Sequence, residues 1–322
     1  MTAHNLLDPP LLEGSVGLPD GRQLGFAEYG SPHGRAVFWF HGTPGARRQI
    51  PPIARALAAE RDVRLIALER PGVGDSTPHL YEAVIDYAAD VEVVADRFGI
   101  GRFGAIGLSG GGPYVLSCAA ALPDRFTAGA ILGGIAPSQG DDAVEGGAIG
   151  FATRLAPVVE QLRTPLGHGL SAVAQVLARI SSQVFDLYMH VSPEGDKAVF
   201  RRPEMKEMFI DDLSGAIARG GMRSLFSDIV LFSRPWGFRL GDVSAPIRFW
   251  HGDADHLVPL AHGEHVAALV PDSDFSVRPG ESHLGSLDAA EEILDAILSL
   301  WPDEDAERPV VAPLTSAEDS PA

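Results

Sequence analysis

Cysteine is almost missing from this chain. One residue of the 322, Cys118, is a cysteine, so no disulfide can close within the chain and compartment is not decided by it. Its expected role is a small buried apolar side chain on a helix. Basic residues are also scarce. Lys and Arg number 25 against 43 Asp and Glu, a formal charge of −18. That balance excludes a nucleic-acid or anionic-membrane surface as the expected partner. Long apolar runs are absent too: none approaches the roughly 18 residues that span a bilayer. Met1 to Pro10 lacks the basic and apolar regions of a secretory signal, so a cytoplasmic location is expected. With 45% apolar and 21% charged residues, the composition fits one large globular domain, or a core with an insertion.

What is present is concentrated in short glycine-bearing motifs. Gly107-Leu108-Ser109-Gly110-Gly111 follows an apolar run, Phe103 to Leu108, and opens a helix-like segment to Leu122. This is the sequence form of a nucleophile elbow, a serine on a sharp strand-to-helix turn. Glycines are needed two positions either side because side chains there would strike the neighbouring strand and helix. Three more motifs close apolar strands. His41-Gly42-Thr43-Pro44-Gly45 follows Val37 to Phe40. Glu69-Arg70-Pro71-Gly72-Val73-Gly74-Asp75-Ser76 follows Val63 to Leu68. His251-Gly252-Asp253-Ala254-Asp255-His256-Leu257-Val258-Pro259 follows Ile247 to Trp250. Gly280-Glu281-Ser282-His283 then follows the last strand signal, Phe275 to Val277.

Serine, then acid, then histidine is the chain order of the α/β-hydrolases. With these motifs in one order, residues 14 to 301 resemble this superfamily, specifically its cofactor-free serine members with a helical cap. The resemblance implies a mostly parallel sheet flanked by helices, a Ser-His-Asp triad and no cofactor or metal. Chain order leaves His256, His262, His265 and His283 as candidate bases. Only His283 lies in a loop after the last strand and before a helix. The acid lies at Asp253 or Asp255. The superfamily's Gly-x-x-Asp-x-x-Val spacing frames Asp255 between Gly252 and Val258, leaving Asp253 to fix the loop. The backbone N–H groups of Gly110 and Thr43 are the expected oxyanion hole, with Gly45 as the alternative to Thr43 because Pro44 cannot donate. His41 is expected to hold the loop from beneath. Arg70 is expected to tether its own loop rather than bind a substrate carboxylate.

The remaining pattern places these motifs. Residues 14–29 read as a hairpin around Pro19-Asp20-Gly21. A helix is expected near Arg47 to Glu60. Tyr81, Val84, Ala88, Val91, Ala95 and Phe98 recur at three and four, marking one helix face. Ala128 to Leu132 reads as a strand after the elbow helix. The strand rhythm stops between 137 and 242, where helical stripes take over. These are Phe151, Leu155, Val158, Leu162; Leu166, Leu170, Val173, Leu177, Ile180; Met205, Met208, Phe209, Leu213, Ala216; and Met222, Phe226, Ile229. The expected organisation is a core of 1–136 and 243–301, a helical cap of 137–242, and a disordered acidic tail of 302–322. Residues 303–322 carry six acids and one arginine. The final helix is expected from Ser286 to Trp301.

Two patterns resemble other chemistry. Gly99-Ile100-Gly101-Arg102-Phe103-Gly104 fits G-x-G-x-x-G, but it follows a helix and enters a strand. A phosphate needs the N-terminus of a following helix, so no dinucleotide site is expected. His251, Asp253, Asp255 and His256 resemble a scrambled metal-ligand run, late in the chain, and no metal is expected. The expected function is cleavage of a small, mainly apolar ester, lactone or thioester through an acyl-enzyme on Ser109. Two alternatives stay open: a carbon–carbon bond hydrolase with the same triad, and a small-ligand sensor without turnover.

Overall fold

The computed structural model describes residues 7–144, 146, 154, 156–158, 160–161, 181–219 and 223–302. Eight strands form one sheet in the order β1-β2-β4-β3-β5-β6-β7-β8. β1 (Leu12–Gly17) and β2 (Gln23–Gly30) are the expected hairpin. β2 also runs antiparallel to β4 (Val63–Leu68). All later pairings are parallel, through β3 (Arg35–Phe40), β5 (Phe103–Leu108), β6 (Phe126–Leu132), β7 (Ile247–Gly252) and β8 (Ser273–Arg278). The central strands β4, β5 and β6 are buried throughout and are rich in apolar residues, as a sheet covered on both faces requires. β8, at the edge, is half-exposed.

The pleat sends alternate side chains into two apolar layers. Phe38 and Phe40 of β3 join one layer with α2 (Tyr87–Arg97), α3 (Gly112–Ala121) and α8 (Leu260–Leu269). Val37 and Trp39 join the other with α1 (Pro52–Glu60) and α9 (Ala290–Ser299). Cys118 is fully buried in the first layer, and burial pushes its thiol well above the ordinary range.

Two helix boundaries differ from expectation. α1 begins at Pro52, not near Arg47. Proline is favoured at the first helical position, and it turns the residue before it away from helical angles. Pro51 accordingly sits at φ −52°, ψ 136°. The last helix begins at Ala290; Gly285–Ala289 is a tight 3₁₀ turn that brings the chain out of the His283 loop. Tyr81 is buried with the α2 face but precedes the helix.

Between β6 and β7 the described residues form helices and no strand. They are α4 (Ser181–Val191), α5 (Glu194–Phe200), α6 (Pro203–Arg219) and α7 (Arg223–Phe232), besides helical residues near 154–161. Met205 and Met208 of α6 are buried with Phe185 and Phe200 in the α1 layer, and Phe209 packs against that cluster. Phe185, Phe200 and Phe209 contact one another at centroid separations of 5.1, 5.6 and 5.4 Å. Leu231 and Phe232 of α7 enter the opposite layer. Met205, Met208 and Phe209 therefore serve to dock the insertion. Val158, expected on an apolar stripe, is 58% exposed. Phe151, Leu155, Leu162, the 166–180 stripe, Met222 and the 303–322 tail lie outside the described residues.

Candidate active site

The elbow is built by backbone contact. Ser109 follows β5 at φ +52°, a left-handed angle that side chains rarely adopt. Gly107 and Gly111 allow the turn. A Cβ on Gly111 would stand 2.1 Å from the Phe40 carbonyl oxygen, and one on Gly107 2.6 Å from the Gly111 carbonyl oxygen. The steric need read from the motif has these atoms as its cause. Ser109, Asp255 and His283 are each buried, at 9, 5 and 8% exposure, so charge among them is weakly screened by solvent.

The three form a continuous hydrogen-bonded row. His283 Nε2 lies 2.8 Å from Ser109 Oγ, and His283 Nδ1 lies 2.7 Å from Asp255 Oδ2. With the proton on Nδ1, the ring donates to the carboxylate and leaves Nε2 free to accept from the serine hydroxyl. The other Asp255 oxygen accepts the Leu257 and Val258 N–H groups, each at 2.9 Å. Burial raises the Asp255 carboxyl. Hydrogen bonds from His251, His283 and the Val258 amide, with the His283 charge, outweigh that and hold it well below the ordinary carboxylate range. Asp253 is elsewhere: its Oδ1 accepts the Gly280 N–H at 2.7 Å and so ties the β7 loop to the β8 loop.

The loop after β3 faces the elbow. A Cβ on Gly110 would stand 2.5 Å from Thr43 Oγ1 and 3.2 Å from Thr43 Cβ, so Thr43 packs directly on the residue after the serine. Gly45 packs instead on the Gln49 amide, whose Oε1 accepts the Gly42 N–H at 2.6 Å. His41 lies beneath. Its Nδ1 is 2.8 Å from Gly42 O, and its Nε2 accepts the Arg70 N–H at 3.2 Å. Burial and then the Arg70 charge push its imidazole well below the ordinary range, so the ring is neutral and holds backbone.

Arg70 is fully engaged. It donates to the carbonyls of His41 and Gly42, to Thr43 Oγ1 at 2.7 Å, and to Asp228 Oδ2 at 2.8 Å. Asp228 belongs to α7 and is buried. Two more buried acids of the insertion reach core loops. Asp212 of α6 accepts the N–H groups of Ala46 and Arg48, and Asp196 of α5 accepts that of Leu284. Sequence reasoning missed all three. Asp228 lies 158 residues from Arg70, and no local pattern marks it. It missed His251 as well, whose ring lies 3.4 Å from Asp255 Oδ2 and 2.8 Å from Val258 O. Position four before the acid, at the end of β7, was a usable signal there. The candidate metal run resolves into these separate contacts. Among the described residues no group of three or more His, Cys, Asp or Glu side chains is arranged so that it could hold a metal ion.

Residues 35–161 match a family model described as alpha/beta hydrolase fold. A proline iminopeptidase of Neisseria meningitidis is 28% identical over 176 residues, which is 50% of this chain and 56% of that protein. The chain thus spans little more than half the length of this curated relative. Among solved structures, a thermophilic esterase from Thermogutta terrifontis superposes with a TM-score of 0.66 at 19% identity, covering 90% of this chain and 100% of that one. An enol-lactonase from Burkholderia xenovorans gives a TM-score of 0.64 at 16% identity, over 89% and 99% of the two chains. At these identities the structural likeness carries the fold. Among the described residues no helix is long and apolar enough to cross a membrane.

Proposed function

We propose that this chain, which has the α/β-hydrolase fold, is a serine hydrolase acting through an acyl-enzyme on Ser109, with a small, mainly apolar ester, lactone or thioester as substrate. The carrying observation is the unbroken row Ser109–His283–Asp255 at 2.8 and 2.7 Å. As Ser109 Oγ attacks the carbonyl carbon, its proton passes to His283 Nε2. Asp255 fixes the ring and stabilises its charged form. The carbonyl oxygen takes the electron pair and is met by the amides of Gly110 and Thr43. Collapse expels the alkoxide, which leaves with the His283 proton. Water then repeats the sequence and returns Ser109 with a free acid. In this reading the inserted helices cap the site, and Phe185, Phe200, Met205 and Met208 are buried where they dock on the core.

A second reading has a specific support: the relative named proline iminopeptidase, which favours cleavage of an N-terminal amide. The chemistry differs in its leaving group, since an amine must be protonated before it departs. The test compares aryl esters of graded acyl length with prolyl and alanyl arylamides, together with labelling by a fluorophosphonate. The proposal expects wild-type protein to be labelled and to hydrolyse the esters, and Ser109→Ala to lose both by several orders of magnitude. Faster turnover of the prolyl arylamide would shift the substrate to peptides. A wild-type protein that resists labelling and turns nothing over would remove the enzyme reading in favour of a ligand sensor.

A further inference from the structure

We propose that Asp228, on the inserted helix α7, is a positioning residue that fixes the Thr43 amide of the oxyanion hole. This rests on the serine hydrolase reading above.

Gln49 of the same loop accepts the Gly42 N–H at 2.6 Å and donates to the Pro44 carbonyl at 3.2 Å, but neither contact holds the Thr43 side chain. Gly42 lacks a side chain, and Pro44 lacks an N–H. Thr43 has a side-chain handle, and its hydroxyl is used from two sides. It donates to Asp228 Oδ2 at 2.7 Å and accepts from Arg70 Nη2 at 2.7 Å. Arg70 Nη2 also holds the Gly42 carbonyl at 2.9 Å. That carbonyl and the Thr43 N–H belong to one planar trans peptide, so they point in opposite directions. Turning the carbonyl toward Arg70 turns the N–H away from it. The amide direction is therefore set by Arg70, and Arg70 is set by Asp228.

Asp228 is suited to that task. It grips Arg70 through both carboxylate oxygens, and the Tyr114 ring lies 5.3 Å from the Arg70 guanidinium. It is 185 residues from Thr43 in sequence, so the insertion supplies a part that the sheet lacks. A buried ion pair is a poor source of stability, because desolvation offsets its attraction. An apolar pair would dock the helix as well. What the apolar pair could not do is aim the threonine hydroxyl. Phe232, one turn further along α7, would contact a Cβ on Gly110 at 3.3 Å, so the same helix also meets the other oxyanion amide.

The test separates aiming from docking. Thr43→Val removes the hydroxyl and keeps the Arg70–Asp228 pair. Thr43→Ser restores the hydroxyl. Asp228→Asn weakens the grip directly. For each, kcat and KM on an aryl ester, the fluorophosphonate labelling rate and the melting temperature are measured. The expected result for Thr43→Val is a kcat at least about ten-fold lower, with KM within about three-fold and labelling slowed in parallel. Thr43→Ser stays within about three-fold of wild type. Asp228→Asn falls as Thr43→Val does, and the double variant is no worse than the worse single one. If Asp228→Asn fails to fold, the two threonine variants decide. Thr43→Val with wild-type kcat and labelling overturns the proposal, as does a loss confined to KM or additive losses. If wild-type protein is not labelled at Ser109, this inference falls together with the hydrolase reading. If it is labelled, the positioning role stands or falls alone.

Discussion

Asp196 and Leu284 meet where the inserted helices touch the last loop of the sheet: Asp196 Oδ1 accepts the Leu284 N–H at 2.8 Å. Leu284 follows His283, so α5 holds the proposed base from outside the hydrogen-bonded row. Gly195, beside Asp196, lets the helix come that close. A Cβ there would stand 2.7 Å from Ser282 N. Asp196→Ala leaves the Leu284 amide buried and unpartnered, a cost of about 1–3 kcal/mol. The expected outcome is a melting temperature lower by several degrees and kcat lower by about ten-fold, since His283 gains freedom to leave Ser109. Asp196→Asn keeps an acceptor oxygen and should lie between. Thermal melts and steady-state rates check this. A lower melting temperature with unchanged kcat would reduce Asp196 to a docking contact.

The two acids of the β7 loop have separate partners, and that separation is testable. Asp255→Asn replaces the acceptor at 2.7 Å from His283 Nδ1 with an amide that favours the wrong tautomer. A loss of about 10⁴ in kcat is expected, as in the serine-protease case where that exchange was worked through. Asp253→Asn should change kcat by no more than a few-fold and loosen the Gly280 turn. Rates for the two variants at one pH are enough. The reverse ranking would reassign the acid.

The sheet and the row of three were legible because both are written locally. Strand ends, glycines and chain order are adjacent residues, and the Phe103–Leu108 run is continuous. The contacts of the insertion were not legible. No local pattern marks Asp196, Asp212 or Asp228, yet all three are buried. Only the packing of helices onto loops more than eighty residues away gives them partners. The methionine stripe left its partner open for the same reason. Periodicity shows that Met205 and Met208 lie on an apolar face, but not which surface covers that face. The helix expected near Arg47 starts at Pro52 because proline is favoured at the first helical position and keeps Pro51 out of helical angles.

Asp212 predicts a stability that depends on pH. Burial pushes its carboxyl up to about 7, and Glu69 and Asp211 add to this, against the two backbone N–H groups that favour the charge. A carboxyl raised in the folded state holds its proton more tightly there than in the unfolded chain. Its contribution is therefore complete below about pH 4 and is lost as pH rises through about 7. The full span is on the order of 4 kcal/mol. Asp212→Asn cannot titrate, so the difference in stability between wild type and variant should shift toward the variant between pH 4 and 8. Denaturant unfolding of both proteins across that range measures it. A difference that stays flat would mean the carboxylate is ionised throughout and is satisfied by Ala46 and Arg48.

The elbow glycines should rank by what their missing side chains would strike. At Gly111 a Cβ meets the Phe40 carbonyl oxygen at 2.1 Å, and at Gly107 the Gly111 carbonyl oxygen at 2.6 Å. Both obstacles are backbone and cannot rotate aside. At Gly112 the nearest atom is the Ile131 Cγ2 methyl at 3.0 Å, which can shift slightly. Gly111→Ala should therefore cost on the order of 3 kcal/mol or more, Gly107→Ala somewhat less, and Gly112→Ala about 1 kcal/mol. Activity should fall faster than stability for Gly111→Ala. Phe40 is the residue before His41-Gly42-Thr43, so displacing it moves the proposed oxyanion loop together with the serine turn. Unfolding midpoints and fluorophosphonate labelling rates for the three variants test the order. Equal behaviour of Gly111→Ala and Gly112→Ala would mean that β3 and the elbow do not approach as closely as 2.1 Å requires, and the sharp turn at Ser109 would need another cause.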